Sequence, residues 1–167
     1  MESAGEKSLK KVARLGLLTA LAMALSYIES FIPVNSAVPG GKLGLANIVT
    51  IYVLLNYGFS YAVSISVIRA ILSGLLFGGI MSIPYSFMGA VASVIVMTLA
   101  YKIKGIGITG IAILGAFTHN LAQVAVACVI MGNILIMNYI WYLGIISIFA
   151  GTFTGVVSIF LNNTQRK

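Results

Sequence analysis

From Gly105 to Gln165 the chain contains no Asp, Glu, Lys or Arg, and the same holds from Ala70 to Tyr101. Apolar stretches of that length constrain the fold more than any other feature. A helix needs about 20 residues to cross the hydrocarbon core of a bilayer, and these stretches supply several such helices. The chain as a whole agrees: of its 167 residues 60% are hydrophobic and 8% charged, against roughly 25% charged in a soluble domain. Too few polar residues remain to face water. The expectation is an all-α integral membrane protein forming a single domain over 1–167, with no linker, low-complexity segment or clear internal repeat.

Six spans are predicted, near 12–32, 43–58, 60–77, 84–101, 107–131 and 138–161. Pro33 and Pro39 with Gly40 and Gly41 separate the first two. "NYGFSY" marks a tight second turn and "FGGIMSIP" a third, with Pro84 suited to a helix first turn. "KIKGIG" and "MGNILIMN" supply the last two breaks. The basic "KSLKKVARLG" followed by "LLTALAMAL" has the makings of a signal peptide. Its apolar run continues to Ile32 and more spans follow, so a first transmembrane helix is the expectation.

An even number of crossings places both termini on one side. Lys7, Lys10, Lys11, Arg14, Lys102, Lys104, Arg166 and Lys167 then share that side, which the positive-inside rule makes cytoplasmic, with 1–11 as a short basic N-terminal segment. The net charge of +7 therefore reads as membrane orientation, and no nucleic-acid partner is expected. Tyr139, Trp141 and Tyr142 fall at the opposite interface, where amphipathic rings prefer to sit.

Ionisable side chains inside a span are costly unless they face the bundle interior or water. Three occur here: Glu29, Arg69 and His119. Each has polar company at helical spacing: Ser26 with Glu29; Ser66 and Ser73 with Arg69; Asn120 and Gln123 with His119. In the second span Asn47 and Thr50 share a face. Glu29, Lys42 and Asn47 are expected in the outer half, with Arg69 and His119 near mid-depth. Together Glu29, Lys42, Asn47, Arg69, His119, Asn120 and Gln123 outline a cavity open to the outside. Its excess of cations favours an anionic or strongly polar small molecule. Simpler readings stand beside this one. Glu29 and Arg69 could form an internal ion pair, the amides of the fifth span could join helices, and Lys42 could be a solvated loop charge.

Small residues spaced by four let another helix approach closely. Gly16, Ala20 and Ala24 form such a stripe on the first span, half a turn out of phase with Glu29. Ser147, Gly151 and Gly155 form another on the last. The first points to a docking face for a partner, the second to packing within the bundle.

Several chemistries are excluded. The chain contains no Asp, so paired aspartates and aspartate-held magnesium are absent. No Cys/His set has zinc spacing, "PGGKLG" is not a phosphate-binding loop, and the lone Cys128 lies in an apolar run. The chain is expected not to be an enzyme and to hold no metal or cofactor. With one intramembrane acid, it looks dependent on other subunits for energy.

These residues support a resemblance. A small six-span protein with a basic N-terminus and a small-residue stripe on its first helix resembles the substrate-binding S components of energy-coupling factor transporters. The loop followed by "GGKLGLANIVTIYVL" is similar to the membrane family labelled heptaprenyl diphosphate synthase component I, also called Gx transporter. The likeness covers nearly the whole chain, and 41–47 is its most specific part. It implies a six-transmembrane-helix bundle of S-component type in a bacterial cell membrane, with 33–42 as a lid over an outward pocket. It also implies that Gly16, Ala20 and Ala24 dock on a transmembrane coupling subunit driven by two cytoplasmic ATPases. Flavins, other vitamins and isoprenoid- or quinone-related precursors are the substrate classes. The alternatives are a non-catalytic membrane partner of a prenyl diphosphate synthase, or an autonomous small transporter.

Overall fold

The computed structural model describes residues 4–31 and 44–164. Among these residues the chain forms six α-helices and no strand: α1 (Ala4–Ser30), α2 (Asn47–Tyr57), α3 (Phe59–Ser73), α4 (Ser82–Lys102), α5 (Ile108–Met131) and α6 (Ile140–Thr164). A π-helical turn, Gly74–Gly78, extends α3, and a 3₁₀ turn, Ile134–Tyr139, leads into α6. Five of the helical segments are long and apolar enough to cross a membrane. The protein is an all-helical, multi-pass membrane protein.

The second predicted span needs correction. It is not a full crossing helix: α2 has 11 residues, about 16 Å at 1.5 Å per residue, half the roughly 30 Å of bilayer hydrocarbon. The reason lies just before it. Gly44 has φ +85°, a left-handed conformation that halts helix propagation. The first turn then closes tightly, with Asn47 N–H donating to the Gly44 carbonyl at 2.8 Å and Ile48 N–H to the Leu45 carbonyl at 3.1 Å. The other predicted breaks fall where helices end. The predicted first span starts late, since the basic residues before it continue the same helix.

α2 and α3 fold back on each other at Gly58, the only residue between them. Thr50 lies eight residues before Gly58 and Ser66 eight after it, and their hydroxyls meet at 3.0 Å. The hairpin is therefore antiparallel and in register about its turn. Asn47 and Arg69, each eleven residues from Gly58, lie at one level, about 16 Å from the turn. This revises the expected depth of Asn47, which sits level with Arg69 rather than nearer the rim.

α2 is the one helix that approaches all five others. It fills the middle of the bundle from mid-depth to one end, with Ile51, Val53 and Leu54 packed among Ala62, Ile65, Val94, Met97 and Ile111. A second apolar cluster, Tyr85, Val124, Ala127, Cys128 and Leu143, lies between α4, α5 and α6. Lipid is as apolar as these side chains, so close packing rather than escape from water must hold helices together. α5 and α6 show how. A Cβ at Gly151 would collide with the Ile113 backbone, and one at Gly155 would lie 2.6 Å from Thr109 Cα. The stripe on the last helix is thus internal packing, as expected.

Among the described residues Lys11, Arg14, Lys102 and Lys104 gather at one end. Lys11 Nζ stands 4.1 Å over the Tyr61 ring near the Gly58 turn. Arg14 shares a groove with Tyr57, Leu161 and Thr164, and Asn56 Nδ2 reaches Asn162 Oδ1 at 3.5 Å. Gly155 against Thr109 brings the start of α5 to that same end, and Lys102 and Lys104 with it. Trp141 and Tyr142, both exposed, lie at the far end.

Candidate functional site

The polar residues predicted to face inward do so. Glu29, Asn47, Arg69, His119, Asn120 and Gln123 are each at most 3% exposed. Lys42 and the proposed lid over 33–42 lie outside the described residues.

The buried residues form two groups. The first is built by α1, α2 and α3. Arg69 Nη1 donates to Ser26 Oγ at 3.1 Å. One turn further along α1, the Glu29 carboxylate accepts the Gly44 N–H. Asn47 stands beside Gly44: a Cβ on that glycine would lie 2.9 Å from Asn47 Nδ2. The late start of α2 creates this arrangement. Backbone that is not helical at membrane depth needs partners within the protein, and Glu29 supplies one.

The second group sits on α4, α5 and α6. His119 and Gln123 face Gly89, where a Cβ would lie 3.0 Å from His119 Cε1 and 3.1 Å from Gln123 Cγ. The small residue leaves a notch that both side chains occupy. Asn120 turns the other way and donates to Ser147 Oγ at 3.0 Å. That hydroxyl donates in turn to the Leu143 carbonyl at 2.6 Å. The amides of the fifth span thus serve two seams. Among the described residues α3 and α5 do not approach each other.

Both groups hold more hydrogen-bonding capacity than they use. Arg69 Nε and Nη2, Asn47 Nδ2, Ser93 Oγ, Asn120 Oδ1 and both polar atoms of Gln123 are buried with no partner. Each such group costs about 1–3 kcal/mol relative to a satisfied one. Structures rarely retain many of them without a role. Ligand-sized openings lie elsewhere. A groove of about 700 Å³ runs between α1, α2 and α6 at the basic end, past Arg14, Leu18, Tyr52 and Leu161. One of about 450 Å³ lies between α5 and α6 near Phe117 and Trp141. Neither is lined by the predicted binding residues.

Sequence reasoning grouped Ser26 with Glu29 but left it out of the site, although it holds Arg69 in place. Gly44 and Gly89 were missed. Gly44 carried no signal without the true start of α2, and Gly89 none without the α4–α5 register.

α1 divides cleanly by face. Gly16, Ala20 and Ala24 are exposed, whereas Ala22, Ser26 and Glu29 are buried. No atom comes within 4 Å of a Cβ placed on Gly16. Among the described residues α1 packs only on α2, α3 and the π turn, which leaves the small-residue stripe uncovered.

A family model described as heptaprenyl diphosphate synthase component I matches residues 18–161. Comparison with curated proteins and with solved structures returned no match.

Proposed function

The chain belongs to the heptaprenyl diphosphate synthase component I family, and from that premise we propose that it is a substrate-capture subunit of an energy-coupling-factor type importer. It takes a small polar or anionic molecule from outside the cell into the bundle interior, the substrate classes being vitamins, flavins and isoprenoid- or quinone-related compounds. Glu29, Asn47 and Arg69 form one wall of the site, His119 and Gln123 the other, and Lys42 its mouth, while Asn120 ties α5 to α6. A coupling subunit docks on Gly16, Ala20 and Ala24, and two ATPases drive the complex from the cytoplasmic side, where the basic end lies.

The observation that carries this reading is the two-faced α1. Its polar face is buried against the Arg69 group, and its small-residue face is left open over three turns. A helix so divided suits a subunit that holds a ligand on one side and a partner helix on the other. With no phosphate-binding loop in the sequence, ATP hydrolysis on this reading falls to the partner's ATPases.

A second reading follows from the family's description. The chain would then be the non-catalytic membrane partner of a prenyl diphosphate synthase. Affinity purification from native membranes separates the two. Recovery of a coupling subunit with ATPases supports capture; recovery of a prenyltransferase without them sinks it. An autonomous transporter would show as substrate uptake by the chain alone in proteoliposomes.

A further inference from the structure

Arg69 is the largest fully buried side chain, and only one guanidinium nitrogen has a partner. Nη1 is held by Ser26, while Nε and Nη2 are not engaged. Those two nitrogens make one edge of the guanidinium plane. Their N–H groups run parallel, at the spacing of two oxygens on one carboxylate or phosphate. Ser26 fixes the opposite part of the group and so sets the direction in which that edge points.

Asn47 Nδ2 is buried and unengaged as well. It belongs to the first residue of α2, level with Arg69. All three idle atoms are donors. They stand where a half-length helix begins, and a helix N-terminus favours negative charge. Glu29, the acid nearby, already accepts the Gly44 N–H. A neutral carbonyl would leave one N–H of the Arg69 edge unfilled; an oxyanion fills both.

We propose that Arg69 and Asn47 form an oxyanion receptor. Arg69 Nε and Nη2 grip two oxygens of a carboxylate or phosphate, and Asn47 Nδ2 donates to the same group. The inference rests on the capture reading for its substrate and adds the chemical group that is recognised.

The chain has three arginines, Arg14, Arg69 and Arg166, so the full protein labelled with 15N-arginine in nanodiscs gives three side-chain Nε–H signals. Arg14→Lys and Arg166→Lys identify the Arg69 signal by elimination, without touching the site. Acetate, inorganic phosphate and propionamide are the probes. The expected result is a downfield shift and slowed exchange of the Arg69 signal with acetate or phosphate, and no response to propionamide. A response to acetate alone assigns a carboxylate, and to phosphate alone a phosphate. Silence toward both anions, or an equal response to propionamide, overturns the receptor. Arg69→Lys keeps the charge but loses the paired edge, and should weaken anion binding about tenfold or more in melting titrations. Undiminished affinity also overturns it. A responsive Arg69 in a chain that recovers no ATPases refutes capture and leaves the receptor standing. A silent Arg69 in a chain that recovers them does the reverse.

Discussion

Ser26 carries more than its size suggests. Its hydroxyl is the one group that anchors the Arg69 guanidinium, and both residues are buried. Ser26→Ala removes that acceptor and leaves the third guanidinium nitrogen of Arg69 unfilled. The expected cost is about 1–3 kcal/mol of stability, read as a lower melting midpoint in detergent or nanodiscs. An unchanged midpoint would mean that Arg69 is positioned by something else. Arg69→Ala should weaken substrate binding while leaving a folded bundle, checked by ligand titration of protein that still elutes as a single species. Which residues turn inward was legible in the sequence, because an ionisable side chain inside an apolar span has few places to go. Which of them touch was not. Asn120 and Gln123 are three positions apart on one helix, yet one faces α6 and the other α4.

Among the elements, α2 depends most on one position. Gly44 holds the left-handed conformation that delays the helix, and an alanine there would be strained by about 1–2 kcal/mol and crowd Asn47. Gly44→Ala should therefore lower the melting midpoint and disturb the Glu29 contact; a neutral effect would contradict the half-length α2. The helix limits elsewhere were readable, because Pro and Gly clusters mark them. The length of α2 was not. Its apolar run looks continuous from Leu43, and only the chain conformation at Gly44 shortens it. The stripes on α1 and α6 show the same limit. Both have small residues at a spacing of four, yet one is buried against α5 and the other faces outward. Spacing alone does not tell a helix whether its neighbour belongs to the same chain. Ala20→Leu tests the outward stripe. It should block assembly with a coupling subunit and leave the stability within about 0.5 kcal/mol of the parent, read as a nearly unshifted melting midpoint. Intact assembly would reject the docking face.

At the scale of the molecule, the bundle is asymmetric along its long direction. Among the described residues its basic end is packed around α2, and no central helix continues to the far end. On the positive-inside bias, the expected orientation has the basic end in the cytoplasm. Lys104→Cys should then react with a membrane-impermeant maleimide only after cells are opened, and Asn133→Cys should react in intact cells. The reverse pattern would turn the site toward the cytoplasm and end the capture reading. The sequence alone determined that the chain crosses a membrane as a helical bundle, because its long apolar runs admit no other solution for backbone hydrogen bonds in lipid. It also led to the expectation that most basic residues share one side, with Lys42 in an outer loop and Arg69 inside a span. Tertiary structure decided the depth of α2, the split of the buried polar residues into two groups, and the edge that Arg69 leaves open. Those depend on which helix lies beside which and in what register, and a one-dimensional pattern of polar and apolar residues does not encode the partner across a seam.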